Sequence, residues 1–377
     1  MRIAYCTNVR LPSERAHGYQ VSAVCDAFIK LGHSVEIFSP FRENIVQENF
    51  SDYYNVSDQI KINHVGSCDY IKNKFFPSVM GLWMMNKSMR SLLPESLKSF
   101  DVLYTRTEAL LPALLSLSIP TIMEIHRLPR RDKYGFADRC NKCVKVVCLT
   151  SPMKNELVSW GVSEDKVVVE GDAVDIDKFE SLPDREGSRK MFEVEDREFV
   201  VSYAGSIKTM KLDKGVPQII KAVDMLSSSG MNIKALIAGG PEKEAEKLKE
   251  SSGENINVLG QLTRDGVKNV YSASDLLVYP APKTSHSYFM RDTSPMKIFE
   301  YMSTGKPMIC ADTPPIRDVL DESVTLFYEP GNVDDLSTKI VFAMENAEEM
   351  HAMAWRAKER VKEYTWDKRM ERIISCV

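Results

Sequence analysis

The chain has 377 residues, 44% hydrophobic and 27% charged, a composition that excludes a disordered or fibrous protein and allows about two domains with their own cores. Its net charge of −4 gives no global attraction to nucleic acid, so no nucleic-acid partner is expected and any anion site must be local. No apolar run reaches the roughly 18 residues needed to cross a bilayer.

The start, "MRIAYC", has no basic region followed by an apolar stretch, so a cytoplasmic location is expected. "RIAYC" reads as a strand, and the segment after "HGYQ" carries Val21, Val24, Cys25, Phe28 and Leu31 at helical spacing until Gly32 stops it. "SVEIFS", a helix over 79–98, "DVLYTR", a helix near 107–117, "PTIMEIH" and "VKVVCLT" follow. This β-α repetition implies a parallel sheet covered on both faces. Cys140 and Cys143 in "RCNKC" have metal-ligand spacing, but no second pair completes a four-ligand site, and no metal is expected. The eight scattered cysteines fit a reducing compartment.

The polar stretch "EGDAVDIDKFESLPDREGSRKMFEVEDRE" reads as a linker with a boundary near 185–197. Beyond it "EFVVSYAG", "NIKALIAGG", "INVLG", "DLLVYP", "KPMICA" and "VTLFYE" read as a second series of strands, each followed by a helical segment. The expected architecture is α/β: two Rossmann-like, doubly wound domains, 1–185 and 186–350, facing across a cleft, with ligands beyond the carboxyl ends of the strands. The last segment, 351–377, is helical, with Trp355, Tyr364, Trp366 and Ile373 as apolar anchors in and around it.

Neither G-x-G-x-x-G nor G-x-x-x-x-G-K-[ST] is present, which argues against a nicotinamide dinucleotide or a P-loop. Three weaker phosphate signals each follow an expected strand. Gly18 in "ERAHGYQ" would let backbone N–H groups approach a ligand, or is simply a loop glycine before a helix. "AGSIKTMKLDKG" places Lys208, Lys211 and Lys214 in one loop, with Lys214 beside Gly215 at a helix start. Such lysines either neutralise a diphosphate or are solvated.

The third signal is "RDTSPMKIFEYMSTGKPMI". Ser294 before Pro295 fits an N-cap followed by proline at the first helical position, so the helix N–H groups would face an anion. Lys297 in the first turn, disfavoured by the helix dipole, calls for an anionic partner, for which a phosphate is the natural candidate; the alternative is a solvated lysine. Asp292 and Glu300, with seven residues between them, are placed to grip the two ends of an extended ligand, since carboxylates accept from vicinal hydroxyls.

This stretch resembles the signature of glycosyltransferase family 4, retaining enzymes of the GT-B fold. "LVSWGVSEDKVVVEGDAVDIDKF" is similar to the family's interdomain stretch, "YAGSIKTMKLDKG" to its first C-terminal loop, and "LGQLTRDGVKNVYSASDLLVYP" to the segment enclosing the base. The resemblance implies sugar transfer from a UDP- or GDP-linked donor to a glycan or lipid-linked acceptor. The nucleotide sugar is then a substrate, and no cofactor is implied. It places Glu300 on the ribose and Asp292 on the donor sugar. Lys214, with backbone amides near Ser294, Met296, Lys297 and Gly18, would hold the diphosphate. Leu262 would contact the base through its backbone. His126 in "MEIHRLPRR" matches the histidine beside the transferred sugar; taken alone it reads as a structural histidine, but its place at a strand's carboxyl end favours the site. The resemblance also implies that the last helix crosses back onto the first domain.

Two positions depart from the family pattern. Asp292 stands in place of glutamate, and Ser206 where arginine is usual, which leaves the cationic clamp to Lys214 with Lys208 or Lys297. No D-x-D pair ends a strand to hold magnesium, so transfer is expected to be independent of metal. Glu124 on its apolar strand reads as structural. Arg127, Arg130, Arg131 and Lys133 are candidates for an acidic or diphosphate-linked acceptor. "KNKFFPSVMGLWMMNKSMRS", with Lys72, Lys74, Lys87 and Arg90 among Phe75, Phe76, Trp83 and Met84, is compatible either with peripheral contact at an inner membrane face or with a core helix having a basic outer face. A sugar-nucleotide epimerase or hydrolase, or a catalytically weak nucleotide-sugar-binding subunit, would share the donor grip.

Overall fold

The computed structural model describes residues 1–66, 78–209 and 212–375. The chain divides into two compact units, Met1–Gly171 with Trp366–Val377, and Asp172–Thr365.

In the first unit seven strands, β1 (Arg2–Cys6), β2 (Ser34–Ser39), β3 (Lys61–His64), β4 (Val102–Thr105), β5 (Thr121–Ile125), β6 (Lys145–Cys148) and β7 (Val167–Val169), form one parallel sheet in the order β3-β2-β1-β4-β5-β6-β7. Strands β4, β5 and β6 are buried at every residue, as continuous apolar runs in a doubly covered sheet should be. The two strands absent from the sequence expectation, β3 and β7, are the sheet's edges, too short and too exposed to leave a period. The helix Ala16–Lys30 buries Val21, Val24, Cys25 and Phe28, and Gly32, at φ 83°, ends the segment. The helix Ser78–Leu97 buries Met85, Met89, Leu93 and Leu97 on one face and exposes Val79, Met80, Leu82 and Trp83. Lys72, Lys74, Phe75 and Phe76, from the same basic and aromatic stretch, lie outside the described residues, as does Lys211.

The second unit holds β8 (Phe199–Ala204), a short antiparallel hairpin of β9 (Lys208–Thr209) and β10 (Leu212–Asp213), then β11 (Ile233–Ala238), β12 (Ile256–Gly260), β13 (Leu276–Tyr279), β14 (Met308–Ala311) and β15 (Leu326–Tyr328). Its main sheet is parallel, ordered β12-β11-β8-β13-β14-β15. Strand order reverses between β1 and β4 in one unit and between β8 and β13 in the other. Crevices at such points are where doubly wound sheets take ligands.

The division between units falls earlier than 185–197. The stretch expected as a linker is part of the second unit because one buried guanidinium organises it. Arg189, on the helix Arg185–Met191, donates to the carbonyls of Glu195 (2.9 Å), Asp196 (3.0 Å) and Glu198 (3.1 Å) and to Asp275 Oδ2 (2.6 Å), at the foot of β13. At the other end, the helix Ala347–Arg360 stays with the second unit, packed on the helix Met296–Thr304. The returning segment is shorter than 351–377: only Trp366–Ile374 packs in the first unit, against Ala16–Lys30.

The described cysteines Cys140, Cys143 and Cys148 are buried in one apolar cluster, with their thiols pushed up or engaged with backbone carbonyls. Among the described residues no group of side chains could hold a metal ion, and no helix is long and apolar enough to cross a membrane.

Candidate active site

In the second unit, the helix Met296–Thr304 buries Ile298, Phe299, Tyr301 and Met302, and the Tyr301 hydroxyl accepts from the Ala204 N–H (3.3 Å), which ties the helix to the carboxyl end of β8. Gly305, at φ 66°, closes it. The next residue, Lys306, is half-buried and donates to the Ser272 (3.0 Å) and Ser274 (2.8 Å) carbonyls. It therefore caps the helix Arg264–Ala273.

The start of the 296–304 helix differs from the sequence expectation. Pro295 is the residue before the helix, not its first, and Ser294 does not cap it: the Ser294 Oγ accepts instead from the Asp172 N–H (2.7 Å). No side chain caps this end, and the Met296 and Lys297 amides carry no hydrogen bond among the described residues. Lys297 does have an anionic partner, but it is Glu300: Nζ lies 2.8 Å from Oε2. The same oxygen accepts from the buried Tyr271 hydroxyl (2.8 Å), while Glu300 Oε1 accepts nothing among the described residues. Lys297 and Glu300 are partly exposed, at 30% and 19% of their side chains.

Asp292 is held by its neighbour in the chain. It is 8% exposed, at the end of a π-helical turn, Tyr288–Asp292, and Arg291 holds both its oxygens, Nε to Oδ1 at 2.6 Å and Nη2 to Oδ2 at 3.2 Å. A ligand hydroxyl would have to share or displace that guanidinium. The two residues are adjacent in the sequence, "RD", and within this π-helical turn the long Arg291 side chain reaches its neighbour's carboxylate.

Lys208 and Lys214 behave differently. Lys208 is neutralised by Glu244 (2.6 Å), and that hydrogen bond raises its pKa. Lys214 has no carboxylate partner among the described residues; its Nζ lies 5.9 Å from the centre of the Tyr288 ring. Gly215 makes this placement possible. It sits at φ 91°, and a Cβ there would lie 2.9 Å from the Ala281 carbonyl carbon, so the loop leaving β8 and the loop leaving β13 touch backbone to backbone. Lys214 and Tyr288 thus flank the point where strand order reverses. Ser206, at the position where arginine is usual, is exposed and uses its hydroxyl on the Lys208 carbonyl. The Leu262 backbone amide and carbonyl have no hydrogen bond among the described residues, which leaves them open to a ligand.

In the first unit, the N–H of Gly18 is used within the chain. The residue lies inside the first turn of Ala16–Lys30 and its N–H donates to the Arg15 carbonyl (2.9 Å). A Cβ would fall 2.1 Å from the Tyr54 hydroxyl and 2.8 Å from the Ser13 carbonyl, two groups bonded to each other. Gly18→Ala should therefore destabilise the unit by about 1–3 kcal/mol in a urea titration, through overpacking alone, and leave the affinity of the folded protein for a nucleotide sugar unchanged.

His126 follows β5 with its side chain 20% exposed. Its Nε2 lies 2.6 Å from Glu124 Oε1 and 2.8 Å from the Gln20 amide nitrogen. Burial first, then the Arg106 charge, lower its pKa to about 4, so the ring is neutral at pH 7. Glu124 is fully buried. Burial opposes its charge, but Arg369 (2.9 Å), His126 and Arg106 outweigh this and hold it well below the usual carboxylate range. Gln20, Arg106 and Arg369 were not singled out from the sequence. Arg127, Arg130 and Arg131 are exposed, and Lys133 stacks on Trp160 (4.8 Å).

Two family models cover most of the chain: "Glycosyltransferase Family 4" matches residues 18–178 and "Glycosyl transferases group 1" matches 184–360. The chain belongs to glycosyltransferase family 4, with the GT-B fold. A sulfoquinovosyl transferase of Arabidopsis thaliana is 28% identical over 137 residues, 35% of this chain and 25% of that protein. A lipopolysaccharide 1,2-N-acetylglucosaminetransferase of Salmonella typhimurium is 24% identical over 193 residues, 48% of each chain. The chain thus spans at most about half the length of these relatives. The structure of Anabaena HepE in complex with UDP-glucose matches over 100% of both chains at a TM-score of 0.71 and 15% identity, a likeness of fold.

Proposed function

We propose that this family 4 chain is a retaining glycosyltransferase that moves a sugar from a UDP- or GDP-linked donor to a glycan or lipid-linked acceptor without a metal. The observation that carries the reading is the open helix start at Met296 with the Lys297–Glu300–Tyr271 group beside it. Breaking the bond between anomeric carbon and phosphate builds negative charge on the diphosphate. Fixed N–H groups and cations aimed at it lower the barrier.

In the absence of donor, Glu300 occupies Lys297. A diphosphate at the helix start takes over that lysine, and Glu300, kept in place by Tyr271, then accepts from the ribose hydroxyls. Lys214 supplies a second cation. Lys208, committed to Glu244, does not. Asp292 acts as one half of an Arg291–Asp292 pair, so the sugar end of the donor meets a dipolar group instead of a bare carboxylate. One of the relatives named above is a lipopolysaccharide N-acetylglucosaminetransferase by its description, which supports a lipid-linked or polysaccharide acceptor here. Exposed Arg130 and Arg131 favour an acidic one. Exposed Val79, Met80, Leu82 and Trp83, with Lys87 over the Trp83 ring, favour contact with an anionic membrane face from the cytoplasmic side.

The test is a thermal-shift screen against nucleotide sugars, followed by product analysis with and without acceptors. Donor at a hundred times its dissociation constant should add about 2.7 kcal/mol to stability. Glu300→Ala should weaken donor binding roughly ten- to a hundredfold by isothermal titration, because hydrogen bonds to a charged group are worth about 1.5–3 kcal/mol. Products formed equally without any acceptor would make the chain a hydrolase or epimerase. Binding without turnover would make it a nucleotide-sugar-binding subunit.

A further inference from the structure

The group around His126 is more elaborate than a structural histidine requires. Three donors converge on one buried oxygen, Glu124 Oε1: Gln20 Nε2 (2.6 Å), His126 Nε2 (2.6 Å) and Arg369 Nη2 (2.9 Å). The Tyr104 hydroxyl donates to the other oxygen, Oε2. These residues come from β5, from the helix after β1, from β4, and from the C-terminal helix Trp366–Ile374, whose Arg369 also donates to the Gly171 carbonyl (2.6 Å). Arg369 is 1% exposed and Glu124 not at all.

The hydrogen bonds settle the ring's tautomer. Arg106 donates to Gln20 Oε1, which turns the Gln20 amide nitrogen toward Glu124 and His126. Nε2 has two neighbours of opposite demand, the Gln20 amide, a donor at 2.8 Å, and the Glu124 carboxylate, an acceptor at 2.6 Å; a charge-assisted bond to the carboxylate outweighs a neutral one from the amide, and the Gln20 N–H has Glu124 Oε1 itself as an alternative acceptor at 2.6 Å. Nε2 therefore carries the proton and donates it to Glu124. A neutral imidazole then has its lone pair on Nδ1, which makes no hydrogen bond among the described residues.

The geometry points to Glu124, anchored by Arg369 of the C-terminal helix, as the positioning residue that fixes His126 as the Nε2–H tautomer and leaves Nδ1 as an acceptor for a hydroxyl of the transferred sugar or of the acceptor. The ring is thus a hydrogen-bond acceptor at the carboxyl end of β5, not a cation for the diphosphate. The last residues of the chain set its state from 243 positions away. The identity of the hydroxyl rests on the transferase reading; the tautomer and its control do not.

The charged and titratable groups acting on the ring are Glu124 on β5, Arg106 after β4 and Arg369 on the C-terminal helix. His17, in the first turn of Ala16–Lys30, is likewise lowered to about 4, by burial first and then by the same Arg106. The signs follow. Arg106 and Arg369 disfavour the imidazolium and Glu124 favours it, with burial deciding for the neutral ring. Removing Arg369 alone leaves Glu124 without its strongest partner, so His126 should titrate closer to its ordinary value of 6.5.

The experiment is nitrogen-15 NMR of the histidine rings in the full chain, titrated from pH 8 to pH 4, with His126→Asn for assignment. The wild-type ring should be the Nε2–H tautomer and stay neutral through pH 5. In Arg369→Met its midpoint should move up by roughly one to two units, and Arg369→Lys should restore part of the shift. Because a buried charge left alone endangers folding, the double variant Glu124→Gln/Arg369→Met, neutral at both positions, is the decisive one. It should fold and show a mixture of tautomers. Where turnover is measurable, its kcat should fall roughly tenfold with donor KM nearly unchanged, the mark of a group misaligned only at the reacting centre. An Nδ1–H ring in the wild type, or an unaltered tautomer and midpoint in the double variant, overturns the inference. Absence of turnover with the NMR results as expected would count against the transferase reading alone.

Discussion

Arg369→Met should lower the stability of the chain by roughly 3–5 kcal/mol, and adding Glu124→Leu should return most of the loss. The reason is desolvation. A carboxylate 0% exposed and a guanidinium 1% exposed each lose their hydration on folding, and their attraction offsets that loss only while both are present. Removing one leaves the other charged in an apolar interior beside Tyr5 and Tyr104, where burial already pushes the phenol pKa values well up. Removing both exchanges an ion pair for apolar packing, which is often neutral. By contrast, Arg372→Ala, on the same helix as Arg369, which breaks a partly exposed bidentate pair with Glu170 (2.7 and 2.8 Å), should change stability by no more than about 1 kcal/mol. Urea unfolding of the four variants closes the cycle. A loss in the double variant equal to the sum of the losses for Arg369→Met and Glu124→Leu alone would show that the pair contributes nothing beyond its separate side chains.

The sheets were legible because their central strands are continuous apolar runs between turn signals. "RIAYC", "INVLG" and "DLLVYP" differ from the observed strands by no more than a residue at either end. What the sequence concealed was polar. Arg189 looks like a charge in a polar linker, yet its Nη1 and Nη2 groups gather three carbonyls and a carboxylate, so the chain 172–198 belongs to the second unit. A signal was present in the last helix. Trp366, Arg369, Met370 and Ile373 lie on one face at spacings of three and four, and an arginine inside an apolar stripe must find a buried anion. Glu124, an acid inside the strand "TIMEI", called for the complementary partner. Each was an exception to its own pattern, and the two exceptions answer each other across 245 positions. The donor motif was legible in its residue types but not in its pairings. Whether Lys297 meets a phosphate or Glu300, and whether Asp292 is bare or held by Arg291, depends on rotamers and on a π-turn that spacing does not encode.

Among the three cations weighed for the leaving group, the pairings separate the roles, and Lys214→Ala should lower kcat by roughly a hundred- to a thousandfold, the range seen when one preorganised charge-stabilising group is removed. Lys208 begins in a salt bridge with Glu244, and Lys297 begins in one with Glu300 that must open before a phosphate can use it. Lys214 starts with neither obligation. Its contact with the Tyr288 ring is worth only about 0.5–1 kcal/mol at a partly exposed site, so the substitution should leave the melting temperature nearly unchanged while removing a charge that needs no rearrangement to act. Preorganisation is the point: a group already in place when negative charge develops lowers the barrier, whereas one that must first leave a carboxylate gives back part of its gain. Lys208→Ala should therefore change kcat by less than about threefold, in keeping with the small worth of an exposed pair. Steady-state rates for Lys208→Ala, Lys214→Ala and Lys297→Ala with one donor decide the matter. A Lys214→Ala enzyme within threefold of the wild type, beside an inactive Lys297→Ala, would move the clamp to the helix start and make release of Glu300 the step that donor binding must drive.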